Sequence, residues 1–278
     1  MILTLLTSLA AAQSIPGTDG YQAPEFGVDL YRPSVDSLNT LQVEDTHKPE
    51  AFTAGLSTWW VQDPLVWYDG EGDPTPIVGD AMGIAATASL GFGPVRVGMV
   101  TPAWLHSTGV DGARGGTLGD PSLDLRVARS REGFGVGAGA RLTAPLGASQ
   151  MQLGQAGWSY EVLGIADYTG DRFWVGANLG ARGLPEVELV DAAMNDQLLY
   201  RAGAAWTPLG PWSVAAELQG MATWSTLQSG AVGNPREILI SGRRTGAHYQ
   251  SSLGVGAGQG AGIGAPRWRV VFSMRAVD

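Results

Sequence analysis

Charged side chains stand at alternate positions of apolar segments along much of the chain. Asp124 and Arg126, for example, alternate with Leu123, Leu125 and Val127, which is the pattern of a β-strand with one polar and one apolar face. We call the nine charged residues placed in this way the charge ladder: Asp124, Arg126, Arg141, Glu161, Arg182, Arg201, Glu217, Glu237 and Arg269. Acids and arginines on one face of a sheet can form ion pairs, or can select charged solutes that pass along that face.

Antiparallel pairing predicts contacts within the charge ladder, because residues equidistant from a connection come to lie side by side. By this arithmetic Glu161 pairs with Arg141 across one connection and with Arg182 across the next, and Glu217 pairs with Arg201. We therefore expect Glu161 to lie between two arginines and Glu217 to lie near a third.

Catalytic and metal-binding patterns are weak by comparison. The chain has no cysteine, which excludes a thiolate metal site and a cysteine nucleophile. His248 has Ser252 on its own strand face, but about 13 Å away at 3.3 Å per residue, too far for a nucleophile–base hydrogen bond. The acidic run 69–80 has the spacing of a calcium loop, but Pro74 stands where that loop needs glycine. We expect no catalytic residue, no metal and no cofactor.

Twelve segments carry the two-residue period of strands. They span 51–61, 80–91, 94–104, 119–130, 134–144, 157–168, 172–183, 197–207, 212–224, 236–243, 248–257 and 267–275. Most are longer than the ~5–6 residues of ordinary strands and match the ~9–11 residues that cross a bilayer. The composition agrees, since 41 of the 278 residues are glycine and glycine weakens helices.

Short and long connections alternate between these strands. Short turns stand at 92–94, 130–133, 169–171, 208–211 and 244–247, with longer loops between them. Outer-membrane barrels have short periplasmic turns, longer outer loops and an even number of strands. The predicted fold is therefore all-β, an antiparallel transmembrane β-barrel of about 12 strands, exported to the outer membrane with both termini periplasmic.

Aromatic residues near the strand ends fit the interfacial girdles of such barrels. The predicted girdle is Trp60, Trp104, Trp158, Tyr168, Trp206, Trp212, Trp224 and Trp268. With the apolar faces toward lipid, the charge ladder faces the lumen. Two interpretations of the ladder are open: a charged constriction that selects small solutes, and a salt-bridged plug that fills a narrow lumen.

The first fifty residues differ from the rest. Residues 1–12 are apolar and end in small residues, the pattern of a signal peptide. Residues 13–50 are an acidic lead-in, expected in the periplasm, and the barrel takes 51–278. The net charge of −9 and the lack of a basic stripe argue against nucleic acid as a partner. Outer-membrane lipid is the expected partner, with small solutes as possible cargo.

Several short stretches, in a fixed order from Phe26 onward, carry a family resemblance. They are Phe26-Gly27, Tyr31-Arg32-Pro33, 51–56, 63–66, 118–120, 176–180, 234–237 and 262–269. Together they resemble the amino-terminal barrel of OmpA-family outer-membrane proteins of Gram-negative bacteria. In that family the barrel is commonly followed by an acidic repeat linker and a peptidoglycan-binding domain. Neither pattern is found up to Asp278, so we expect no cell-wall anchoring from this sequence.

The function expected from these features is a structural or porin-like barrel that lets small solutes pass the outer membrane. A barrel that acts in surface adhesion or as a partner scaffold, through its outer loops, is the alternative. An outer-membrane hydrolase is disfavoured, and no protein partner can be named.

Overall fold

A computed structural model describes residues 27, 30–68, 74–109, 115–148, 152–189, 192–194, 196–208, 210–223, 234–259 and 264–276. Within these ranges the chain forms fifteen strands: β1 (Phe52–Tyr68), β2 (Pro74–Phe92), β3 (Val95–Gly109), β4 (Thr117–Leu118), β5 (Ser122–Arg131), β6 (Phe134–Thr143), β7 (Ser159–Thr169), β8 (Phe173–Gly183), β9 (Val187–Leu189), β10 (Ala192–Met194), β11 (Gln197–Trp206), β12 (Trp212–Thr223), β13 (Arg236–Thr245), β14 (Tyr249–Gly258) and β15 (Trp268–Ala276). In the part of the chain that is described, no helix is long and apolar enough to cross a membrane.

Twelve of these strands close into one antiparallel barrel. β1 pairs with β2 on one side and with the last strand, β15, on the other, and the remaining strands pair with their neighbours around the ring. The predicted fold class is confirmed. β4 adds a short pairing to the end of β3, and β9 and β10 form a small hairpin of their own in the loop before β11.

Exposure alternates along the strands in the sense of a membrane barrel. In β5, Leu123 and Leu125 are exposed, whereas Asp124 and Arg126 are buried. The same inversion, with apolar side chains outside and charged side chains inside, holds for most of the barrel strands. An apolar band of this kind would be unfavourable in water and is the surface that barrels present to lipid.

The first three strands are longer than predicted. β1 continues to Tyr68, and β2 begins at Pro74. The pairing of β1 with β2 is irregular after Gln62, because the next paired residue of β1 is Leu65. Asp63 lies in this irregularity with a φ of 50°. Proline cannot donate a hydrogen bond to a strand ladder and is tolerated at bulges. Because Pro64 and Pro76 interrupt the alternation, the sequence pattern did not predict these extensions of β1 and β2.

Residues 30–50, which we call the lumen segment, lie inside the barrel. Its start is at the long-loop end, where Arg32 lies 3.6 Å from Glu161 at the beginning of β7. Its end is at the short-turn end, where Thr46 bonds to Asp167 near the end of β7. The segment contains no strand and no helix, and most of its residues are buried.

The position of the lumen segment corrects the expectation of a periplasmic lead-in for this part of 13–50. Its acids are counter-charges for arginines of the barrel wall, as shown below, and therefore lie among them. Ala276 lies at the short-turn end, opposite Tyr249, whereas the segment starts at the other end of the barrel. The proposed signal peptide, residues 1–12, falls outside the described residues.

Candidate functional site: the filled lumen

The charge ladder faces the lumen along its whole length. All nine residues are buried, and none is more than 7% exposed. The barrel adds four further charged residues to this surface, Arg96, Asp167, Arg243 and Arg275. The ladder named from sequence omitted Arg96, although the alternation with Val95 and Val97 could have identified it.

The strand register agrees with the pairing predicted for Glu161. It stands opposite Arg141 on β6 and opposite Arg182 on β8. The prediction for Glu217 was wrong, because this residue stands opposite Gly203, and Arg201 stands opposite Gln219. Strands β11 and β12 turn about residue 210 rather than 209, and Gly210 has the positive φ, 63°, of that turn, so the pairing shifts by two residues.

Carboxylates of the wall bind backbone N–H groups of the lumen segment. Glu217 accepts hydrogen bonds from the backbone nitrogens of Leu41 (2.7 Å), Gln42 (2.8 Å) and Val43 (3.3 Å). Asp167 accepts from the backbone nitrogen and the hydroxyl of Thr46, both at 2.6 Å. Charge-assisted bonds of this type are about twice as strong as neutral ones.

Arginines of the wall bind the carbonyl groups of the same segment. Arg243 donates to the carbonyl oxygens of Leu38 and Thr40, and Arg275 donates to that of Ser37 at 2.7 Å. Buried backbone groups need hydrogen-bond partners, and this segment supplies only some of its own, such as the bond from the Ser34 nitrogen to the Leu41 carbonyl oxygen. Charged side chains of the wall therefore hold this stretch of backbone in the lumen.

Asn178 also holds the lumen segment, through its side-chain amide. Its Oδ1 accepts from the backbone nitrogen of Glu44 at 2.8 Å, and its Nδ2 donates to the carbonyl oxygen of the same residue at 2.9 Å. One side chain thus satisfies both backbone groups of one buried residue, which fixes the height of the segment in the lumen.

Acids of the lumen segment and arginines of β3 and β5 form a buried ionic network. Arg96 contacts Asp36 and Asp124 and donates to Glu44 at 2.9 Å. Arg126 reaches Asp36 at 3.1 Å. Burial alone would raise the pKa of Glu44, but Arg96 and Arg126 lower it to about 2. This carboxyl group is therefore ionised at any physiological pH.

Glu161 contacts three arginines, which come from β8, from β11 and from the lumen segment. Its carboxylate lies 3.6 Å from Nε of Arg182, 3.4 Å from Nη2 of Arg201 and 3.6 Å from Nε of Arg32. Arg141, its neighbour by register, turns instead to Asp124 at 3.1 Å. Sequence pairing identified the strand neighbours, but it could not identify partners that reach across the lumen.

A cavity of about 70 Å³ remains near the long-loop end. It lies between the lumen segment at Tyr31 and Arg32, the wall at Trp59 and Trp104, and the inward loop at Leu153. A space of this size holds a few water molecules or one very small solute. In the described part of the chain the lumen is thus largely filled, as the interpretation of the ladder as a salt-bridged plug expects.

Most of the predicted girdle lies on the outer surface. Trp158, Trp206, Trp212 and Trp268 are exposed and Trp60 and Tyr168 are partly exposed, while Trp224 falls outside the described residues. The assignment of Trp104 to the girdle was wrong. It is 6% exposed, donates from Nε1 to the carbonyl oxygen of Leu153 at 2.9 Å and packs against Trp59. Its even-numbered position puts it on the same face of β3 as Arg96.

The catalytic pair considered from sequence is not assembled. His248 is exposed, whereas Ser252 is buried in the lumen, where it accepts a hydrogen bond from Arg243 at 3.0 Å. Among the described residues, His, Asp and Glu side chains form no group of three that could hold a metal ion.

Comparison with known proteins gives a fold but no family. No family model and no curated protein matches the chain. The structure is similar to the COG4313 outer membrane channel from Pseudomonas putida F1, with a TM-score of 0.62 and 15% identity over 88% of this chain and 100% of that one. It is also similar to the KdgM porin, with a TM-score of 0.53 and 8% identity over 81% of this chain and 99% of the porin.

These similarities establish the fold, a barrel of the type found in outer-membrane channels and porins. A third structure, LpxR from Salmonella typhimurium, has a TM-score of 0.47 and 9% identity over 81% of this chain and 100% of that one, which is too distant to support a conclusion. The resemblance to the OmpA family stays a prediction.

Proposed function

We propose that this protein is an outer-membrane channel for small solutes and that the lumen segment is its gate. The proposal rests on the way in which that segment is held. Wall side chains bind it through ion pairs and hydrogen bonds, as Glu217, Arg243 and Arg275 do. Water can replace such bonds when the segment moves, and the charged wall left behind is one that water can hydrate.

The size of the barrel supports the same proposal. A barrel of about eight strands is just filled by its own inward side chains. A ring of twelve strands encloses more space, and here a segment of the chain occupies it. Movement of that segment would leave an aqueous path lined by the charge ladder, which is the arrangement that selects solutes by charge.

Conductance of a loosened gate tests the proposal. Glu217→Gln weakens the hold on Leu41, Gln42 and Val43, because a neutral amide oxygen accepts less strongly than a carboxylate. In planar bilayers we expect the refolded variant to open more often than the wild-type protein. Leu218→Ala is the matched control, since Leu218 is the next residue along β12 and lies on the exposed face. An absence of openings in all three proteins would contradict a channel.

A scaffold barrel that acts through its outer loops is the second candidate. The density of the buried ionic network around Arg96 and Arg126 favours it, because such a network can hold the lumen closed permanently. Under this candidate the loosened variant loses stability but stays electrically silent.

A further inference from the structure

Three arginines lie within 4.0 Å of the one carboxylate of Glu161. Within the described residues, Glu161 is the only carboxylate within 4.0 Å of either Arg182 or Arg201, and Arg32 adds a third guanidinium to the same carboxylate. Arg96, by contrast, contacts three carboxylates. The lumen therefore holds a local excess of positive charge at this position, on side chains of the wall that are almost fully buried.

Several buried polar atoms at the same place have no hydrogen-bond partner among the described residues. Nε of Arg182 is buried and lies 3.6 Å from Glu161, but it makes no hydrogen bond within the described chain. Its Nη1 donates to the sulfur of Met221 at 3.7 Å. Gln197 stands directly opposite Arg182 in the register of β8 and β11. It is 1% exposed, and both polar atoms of its amide are without a partner among the described residues. Buried polar atoms normally have a hydrogen-bond partner, from the protein or from a bound molecule.

Space beside the cluster is small. A cavity of about 10 Å³ is lined by Arg32, Glu161, Arg201 and Gln219, which is about the volume that one water-sized particle needs. Arg32 also lines the cavity of about 70 Å³ toward the long loops. A multivalent or polyatomic anion does not fit the smaller cavity, whereas a single-atom halide ion is closer to the size of a water molecule.

We infer that Arg182, Arg201, Arg32 and Gln197 form a binding site for a small monovalent anion. The anion accepts from the guanidinium groups and from Nε2 of Gln197, and it adds to the negative charge that Glu161 supplies to Arg182 and Arg201. If the lumen opens as proposed, the same cluster makes the channel selective for small anions. That selectivity rests on the proposed channel function, whereas binding of the anion does not.

Bromide is the probe for the site, because its anomalous scattering identifies it in crystals of the full-length protein. We expect an anomalous peak within about 3.5 Å of the guanidinium groups of Arg182 and Arg201, at the range of a charge-assisted hydrogen bond to a large anion. We also expect bromide to raise the unfolding temperature in detergent relative to gluconate at equal ionic strength, since a ligand of the native state stabilises it.

Variants separate the site from general salt effects. Arg182→Gln should abolish the bromide-specific shift, whereas Arg275→Gln, which removes a buried lumen arginine bound to a carbonyl group, should keep it. Glu161→Gln should strengthen the shift, and it provides a second reading if Arg182→Gln does not fold. A site occupied by water only, with no anomalous peak and the same bromide dependence in all variants, would overturn the inference.

Bilayer measurements distinguish failure of the site from failure of the channel. Bromide binding in a barrel that never conducts would leave the site standing and reject the channel. Conductance without selectivity for chloride over potassium in a salt gradient, together with no bromide binding, would reject the site and leave the channel.

Discussion

Glu161 lies within 4.0 Å of three arginines in the lumen. It is 3% exposed, and two of the three are the wall arginines Arg182 and Arg201, so removal of its charge takes from these two buried arginines the one carboxylate at ion-pair distance in the described chain. Breaking a buried ionic contact on one side costs about 3–5 kcal/mol. We predict a loss of that order in the free energy of unfolding for Glu161→Gln, measured by urea titration in lipid vesicles with gluconate as the only added anion.

A surface pair provides the control for that measurement. Glu132 contacts Arg131 at 3.2 Å in a short turn, and both side chains are largely exposed. Exposed pairs contribute about 0–1 kcal/mol, so Glu132→Gln should change stability little. A loss for Glu161→Gln no larger than for Glu132→Gln would mean that the lumen is open and well hydrated around Glu161.

His47 is a titratable residue of the lumen segment with two carboxylates close to its ring. It lies in the lumen segment, where its ring contacts Asp45 and lies 3.5 Å from Asp36. Burial lowers the pKa of His47 and Arg126 lowers it further, but the two carboxylates outweigh both and raise it above 6.5. Asp45 stays ionised in this range, because His47 and Arg126 overcome the effect of burial and lower the pKa of its carboxyl well below the ordinary value.

The sign of the pH effect follows from the raised pKa. The contribution of His47 is fully present below its unfolded pKa of about 6.5 and is lost as the pH rises through the higher folded value. We predict that the difference in unfolding midpoint between wild-type protein and His47→Gln is largest near pH 5.5 and shrinks toward pH 9. A difference that stays constant over this range would show that the imidazole does not ionise in the fold.

At the scale of the elements, the strands were predictable because each carries its own signal. The two-residue period in β5 or β12 is local, and it identified both the strand and its exposed apolar face. The lumen segment has no such period. Its place depends on contacts such as that between Leu41 and Glu217, which are 176 residues apart in the chain, and no local pattern encodes a contact of that range.

The candidate site was likewise predictable only where local alternation and strand register determine its residues. Alternation placed the ladder on the inner face, and register gave the neighbours of Glu161. The third and fourth arginine around it could not be derived, since Arg201 reaches Glu161 across 40 residues and Arg32 comes from the lumen segment. Partners that meet through the interior of a barrel depend on its curvature and on side-chain length, which pairing arithmetic does not include.

The connections between strands carry a prediction about orientation. If the short turns face the periplasm, as in known barrels, an epitope tag inserted at 184–196, between β8 and β11, is reached by antibody on intact cells. A tag inserted at 208–211, between β11 and β12, is reached only after the outer membrane is permeabilised. The opposite pattern of labelling would reverse the barrel in the membrane.

At the scale of the whole molecule, barrel and lumen segment form one folded unit with complementary charge. Asp36, Glu44 and Asp45 of the segment meet Arg96 and Arg126 of the wall. Whether this unit opens is the central question about its function. The chain has no cysteine, so a disulfide introduced between segment and wall can lock it without side reactions.

Val35 and Gly98 are suited to such a lock. A Cβ placed on Gly98 would lie 3.0 and 3.4 Å from the two γ carbons of Val35. Because both γ carbons are bonded to the Cβ of Val35, the two Cβ atoms lie near the ~3.8 Å separation that a disulfide requires. The single variants Val35→Cys and Gly98→Cys control for the substitutions themselves.

The single-channel conductance of the double variant Val35→Cys/Gly98→Cys in planar bilayers, recorded before and after addition of dithiothreitol, tests the gated channel most directly. We predict a silent protein while the disulfide is intact and discrete openings once it is reduced, with both single variants unaffected by the reductant. Identical records in the oxidised and reduced states, whether silent or conducting, would contradict a gate formed by the lumen segment.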